Sequence, residues 1–181
     1  MNLKALATAA ASKLRSQANA LEVIEELDTR AWSFNTSSLS DRNRFSNLLH
    51  EIRQWGADGE PRIYRFSCQP GADLKGLRRA FSDAKASEKD QRAYARLNSP
   101  ESLTLYVGGS SSLSKRIGEH LGFGARRTYA MHLACWAQPF SLEVEICAAR
   151  YSHSADIDVM QALEDSLWRE MNPMFGRLGR R

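Results

Sequence analysis

Three short segments, RIYRFSC (62–68), TLYVG (104–108) and LEVEICAARY (142–151), are rich in β-branched and aromatic residues and lie far apart in the chain. Runs of this kind read as strands. In the last, Leu142, Val144 and Ile146 alternate onto one face. What separates the strands limits how they can pair. Helical patterns are predicted over 73–97, 113–121 and 128–137, and a last helix opens at Asp156 or Asp158 and is stopped by Pro173. From residue 62 the order is strand, helical insert, strand, helix, helix, strand, helix. That order predicts an α+β fold: a small, mainly antiparallel three-stranded sheet flanked by helices.

Residues 1–58 read as an N-terminal helical segment that covers the sheet. A helix over 2–30 carries Leu21, Ile24 and Leu27 on one face, and the polar stretch SFNTSSLSD interrupts it. Ser40 or Asp41 then caps a second helix whose apolar face is Phe45, Leu48, Leu49, Ile52 and Trp55 and which ends at Gly56. The remaining domain, 59–181, contains the helical insert at about 73–97, expected in two pieces with Ser87 and Asp90 spaced as a capping box.

Composition narrows the partners. With 25 Lys and Arg against 21 Asp and Glu, the net charge of +4 permits a polyanionic ligand. Its clustering says more than its total. The insert holds Arg78, Arg92 and Arg96, the last two at i, i+4 on one helical face that can touch phosphates. Asp83, Glu88 and Asp90 interleave with these bases, so a solvated charged face is the competing reading. Cys68, Cys135 and Cys147 are scattered, as in a reducing compartment, with no zinc-ligand spacing. Lys13 and Arg15 interrupt the Ala-rich start too early for a signal peptide, and no run approaches the roughly 18 apolar residues of a membrane span. A cytoplasmic protein without a membrane partner is expected. Monomer and homodimer both remain open.

The most unusual junction is LYVGGSSSLSKRIGEHL (105–121), where a strand runs through two glycines and three serines into a basic helix. It is not a phosphate loop, for it lacks the Gly-Lys-Ser/Thr ending, and it is not a nucleophile elbow, because Ser112 stands where a glycine is needed. What survives is a basic strand–turn–helix unit with Lys115 near its start. Arg116 and His120 share a helical face at i, i+4, Tyr106 precedes the turn, and Tyr64 sits mid-strand in the neighbouring segment. In the last helix Glu164 and Asp165 interrupt an apolar window, and a carboxylate there can hold a divalent cation.

From residue 62 to about 177 the chain resembles the GIY-YIG nuclease family. Arg62-Ile63-Tyr64 matches the first motif strand and Tyr106-Val107-Gly108 the second; Arg116 and His120 match the motif helix, and Glu164 followed by Pro173 the last. The resemblance implies a metal-dependent endonuclease that hydrolyses phosphodiester bonds in DNA, with RNA as a further possible substrate. It implies that Glu164 binds Mg²⁺ or Mn²⁺, that Tyr64 deprotonates or orients water through a lowered phenol pKa, and that Tyr106 and His120 position water and phosphate. Arg116 neutralises phosphoryl charge, while backbone N–H groups of the glycine–serine turn and the helix N-terminus approach the phosphate. Lys115, Arg78, Arg92 and Arg96 are the expected nucleic-acid contacts. Two features depart from the family: the insert at 73–97, and Gly176 where the family has Asn, with Asn172 or Arg177 as substitutes. The second makes a binding or regulatory protein with weakened cutting the alternative.

Overall fold

The computed structural model describes residues 3–56, 61–87, 91–152 and 157–179. Among these the chain order is α1 (Leu3–Glu22), β1 (Glu26–Asn35), α2 (Arg42–Trp55), β2 (Arg62–Cys68), α3 (Leu74–Ala86), β3 (Thr104–Ser110), α4 (Leu113–Leu121), β4 (Glu143–Tyr151) and α5 (Ile157–Met171). Short 3₁₀ turns lie at Thr36–Ser40, Leu133–Cys135 and Gln138–Phe140. The α+β class and the antiparallel pairing agree with the sequence expectation. The strand count does not: the sheet has four strands in the order β1-β4-β2-β3.

The additional strand comes from the N-terminal segment, which is therefore not wholly helical. Residues 26–30 are good helix formers or neutral, and all are exposed, so no apolar period marks them as strand. Pairing decides their conformation. Trp32 and Phe34, both buried, lie opposite Ile146 and Val144 of β4. Helix α1 does not cover the sheet, since none of its residues is buried; the Lys13 ammonium meets the Asp158 carboxylate at 2.8 Å. Exposed ion pairs of this kind contribute little, about 0–1 kcal/mol. Helix α2 does cover it, with Phe45 and Ile52 in the core. Its cap is Asp41, whose Oδ1 accepts the Asn43 and Arg44 N–H groups at 3.0 and 3.2 Å.

Side chains of a strand alternate between faces. One face of the sheet carries Trp32, Phe34, Tyr64, Phe66, Val144 and Ile146 into the main core with α2 and α4. Ile63 and Val107 are buried outside that cluster, as are Val159 and Met160 of α5, which packs on β3. So α5 and α4 lie on opposite sides of the sheet, and β3 is an edge strand between them.

Of two segments expected to be helical, the first is so in part and the second is not an α-helix. Among the described residues of the insert only α3 is helical, with Ser87 as its C-cap; Asp90 lies outside the described residues. Beyond it the chain is extended: Ala95 N–H donates to the Ala130 carbonyl at 2.8 Å, and Ala130 N–H to Ala93 at 3.2 Å. Arg92 and Arg96 therefore share no helical face. The 128–137 segment has Ala130, Met131, His132 and Leu133 buried in succession, which no single helix face can provide. It keeps a 3₁₀ turn, after His132 at φ 52°.

The chain after α5 closes this layer. Met174 and Phe175 donate N–H groups to Thr104 and Leu105 of β3 at 2.8 and 2.9 Å, and Gly176 donates to the Arg96 carbonyl at 2.9 Å. Phe81 of α3 binds the pieces together, its ring centroid 5.6 Å from Tyr94, 5.4 Å from Trp136 and 4.4 Å from Phe175. No helix among the described residues is long and apolar enough to cross a membrane.

Phe81→Ala should destabilise the protein by about 3–5 kcal/mol, the range for deleting a buried aromatic ring. Urea unfolding of the variant and parent measures this. A loss below 1 kcal/mol would show that the insert and the C-terminal residues do not depend on Phe81.

Candidate functional site

Strand β2 pairs with β3 so that Tyr64 lies opposite Gly108 and Ile63 opposite Gly109. The missing side chains matter. A Cβ on Gly108 would stand 2.7 Å from Tyr64 Oη and 2.9 Å from Tyr106 Cε1, while one on Gly109 would stand 2.7 Å from Glu164 Oε2. No real Cβ tolerates these distances in place. Consecutive residues of a strand face opposite sides. The glycine pair thus admits two tyrosines on one side of the β3 edge and the α5 carboxylate on the other.

These groups open on one cleft of about 400 Å³, lined by Tyr64, Tyr106, Arg116 and Glu164 together with Arg127, Thr128, Tyr129 and Arg177. Of the sequence-predicted set, four residues from β2, β3, α4 and α5 meet there. Asp165 does not, because its Oδ1 accepts hydrogen bonds from Gln161 Nε2 at 2.9 Å and Gly179 N–H at 3.2 Å.

Arg116 ties the walls together. Its Nη1 donates to Glu119 Oε2 at 2.8 Å, and its Nη2 donates to Tyr106 Oη at 3.2 Å and the Tyr129 carbonyl at 2.9 Å. Burial opposes its charge, but the Tyr64 and Tyr106 oxygens and the bond to Glu119 outweigh that, so the guanidinium is held more firmly protonated than usual.

His120 is fully buried and does not line the cleft. It lies behind Tyr64, with Nε2 3.1 Å from the phenol Oη. Its Nδ1 accepts the Met131 N–H at 3.3 Å, so the neutral ring carries its hydrogen on Nε2 and donates it to Tyr64. Burial pushes the His120 pKa well down, and the nearby Arg116 charge adds to this. Burial also raises the Tyr64 phenol well above its ordinary value; neighbouring Tyr106 raises it further, against the opposing effect of Arg116. The lowered phenol pKa expected from the sequence is therefore not supplied by the protein's own groups. Tyr106 is raised as well, again chiefly by burial.

The proposed nucleic-acid contacts are dispersed. Arg78 Nη1 donates to the Asn98 and Pro100 carbonyls at 2.6 and 2.9 Å, which commits it to the loop before β3. Lys115 and the N-terminus of α4 line a second cleft with Arg53 and Gly56. The serines at the head of α4 thus do not point the helix N-terminus at the tyrosines. Arg92 is half-buried and outside the main cleft, while Arg96 is exposed with its backbone N–H on Tyr129 Oη at 2.6 Å. Gly176, at φ 104°, packs its backbone against the Tyr106 ring and delivers Arg177, not Asn172, to the cleft.

Sequence reasoning missed Arg127, Thr128 and Tyr129. Their signal is the basic–aromatic run ARRTY (125–129); Thr128 and Tyr129 fall at the start of the expected 128–137 helix, and Arg127 just before it. Comparison with known proteins finds no family model, no curated protein and no solved structure that matches the chain.

Below about pH 6.5, the ordinary histidine pKa, the unfolded chain binds a proton at this position that the folded protein refuses. Stability is thus greatest above that pH and falls as pH drops through it. His120→Gln should flatten this acid limb in urea unfolding measured from pH 7.5 to 5. An unchanged slope would assign the limb to other groups.

Proposed function

We propose that this protein is a metal-dependent endonuclease of the GIY-YIG type, hydrolysing phosphodiester bonds in DNA. The observation that carries the reading is the convergence of Tyr64, Tyr106, Arg116 and Glu164, from four separate elements, on one cleft. A carboxylate beside a guanidinium cluster repels phosphate unless a cation accompanies it. That is hard to reconcile with a site that only binds nucleic acid.

The donor set suits such a cation. Glu164 provides a hard oxygen, and among the described residues no cluster of three or more His, Cys, Asp or Glu forms a protein cage. Mg²⁺ keeps several waters and is bound through one or two carboxylates plus substrate phosphates. Held at Glu164, Mg²⁺ or Mn²⁺ would supply Lewis-acid stabilisation of the leaving 3′ oxygen. The chain's own groups do the remainder. Arg116, fixed by Glu119, Tyr106 and Tyr129, sets its positive charge beside the phosphoryl oxygens, where such preorganised charge is most effective. Tyr64 enters as a neutral phenol, receives the His120 N–H, and offers its own O–H to orient the attacking water. His120 is then a positioning residue that acts through Tyr64. Tyr106, stacked on Tyr64 at 6.2 Å between ring centroids, fixes the phenol and bonds to Arg116.

Purified protein incubated with plasmid, single-stranded and branched DNA should cleave with Mg²⁺ or Mn²⁺ and not with EDTA. Glu164→Gln should abolish cleavage while leaving DNA binding intact, and Arg116→Lys, which loses the fork but keeps the charge, should slow turnover more than tenfold. Absence of cleavage of every substrate with either metal would overturn the reading.

A further inference from the structure

The cleft holds more positive charge than one phosphate needs. Arg116 lies at its inner end, half-buried and tied to Tyr106 and Tyr129, while Arg127 and Arg177 are exposed on its outer wall. Arg177 is not loose there. Its guanidinium carbon sits 5.3 Å from the Tyr129 ring centroid, a cation–π contact. Tyr129 in turn gives its carbonyl to Arg116 at 2.9 Å and receives the Arg96 N–H on its hydroxyl at 2.6 Å. One residue thereby sets the spacing between the inner cation and the outer pair. Among the described residues lining the cleft, Glu164 is the sole carboxylate.

We propose that Arg127 and Arg177, the latter laid on the Tyr129 ring, form a second anion subsite that holds the phosphate next to the one bound at Arg116. The inference rests on the reading of the cleft as a phosphodiester-hydrolysing site and names the substrate that site requires: a strand with at least two consecutive phosphates. A single phosphodiester fills only the inner position. Gly176 also gains a role. Its left-handed backbone lets the chain turn against Tyr106 and places Arg177 on the cleft wall.

Binding of a fluorescent 12-mer oligonucleotide and of a dinucleoside monophosphate, in EDTA and across a salt series, tests this without cleavage. Each phosphate that the protein neutralises adds about 0.9 to the slope of log affinity against log salt for duplex, and about 0.7 for single strands. The double variant Arg127→Ala/Arg177→Ala, which gives up one phosphate, should lose about 0.7–0.9 of slope and at least tenfold in affinity for the 12-mer. Its affinity for the dinucleoside monophosphate should change less than twofold. Both residues are exposed, and a thermal melt checks that the variant is folded. If it is not, Arg127→Lys/Arg177→Lys, which keeps the charges, should retain the slope while losing affinity for the 12-mer. Parental slope and affinity in the alanine variant, or parental affinity in the lysine variant, would overturn the second subsite and leave the endonuclease reading standing. A parent protein that neither binds nor cuts any nucleic acid would overturn both.

Discussion

How closely side chains approach the sheet edge from its two faces depends on two absent side chains. Gly108 leaves room for Tyr64 Oη and the Tyr106 ring, and Gly109 leaves room for the Glu164 carboxylate. Any larger residue at either place would force a tyrosine or the carboxylate to move. Because neighbouring strand residues face opposite ways, one glycine would admit groups from a single side only. The pair, placed at an edge strand, lets α4 and α5 contribute to the same cleft from opposite faces of the sheet.

Burial then sets the charge state of what has been brought together. Removing Tyr64, Tyr106 and His120 from water favours their neutral forms, so the two phenols stay protonated and the imidazole uncharged. Arg116 is the exception, because Glu119, Tyr106 and the Tyr129 carbonyl compensate its burial. The inner end of the cleft is thus a fixed cation, paired with the Glu119 carboxylate and set beside neutral phenols. Such an arrangement stabilises an oxyanion without reorganising when charge develops.

Much of this was legible in the sequence, for a physical reason. The strands β2, β3 and β4 are short, apolar and bounded by clear turn signals, and α2 carries both its cap at Asp41 and its C-terminal Gly56. Tyr64, Tyr106, Arg116 and Glu164 sit at fixed places on those regular elements, so their meeting could be anticipated from pattern and family resemblance. The failures fall where tertiary pairing overrides local preference. Strand β1 is exposed over most of its length and is held by β4, and 91–97 is held extended by Ala130 and by the chain after Pro173. Neither partner is near in sequence. Arg127 and Tyr129 were hidden for the same reason, since they belong to an irregular segment whose course is fixed by its contacts. The place of His120 behind Tyr64 was equally hidden, because spacing at i, i+4 with Arg116 gives a shared face but not its depth.

The central claim is that this cleft directs water at phosphorus with departure of the 3′ oxygen. Single-turnover cleavage of a defined oligonucleotide in ¹⁸O-enriched water, with Mg²⁺ and mass analysis of both product ends, tests it most directly. The account predicts a 3′-hydroxyl on one fragment and a 5′-phosphate carrying one ¹⁸O on the other. A 3′-phosphate, a 5′-phosphate without the label, or a strand joined covalently to a tyrosine would contradict it.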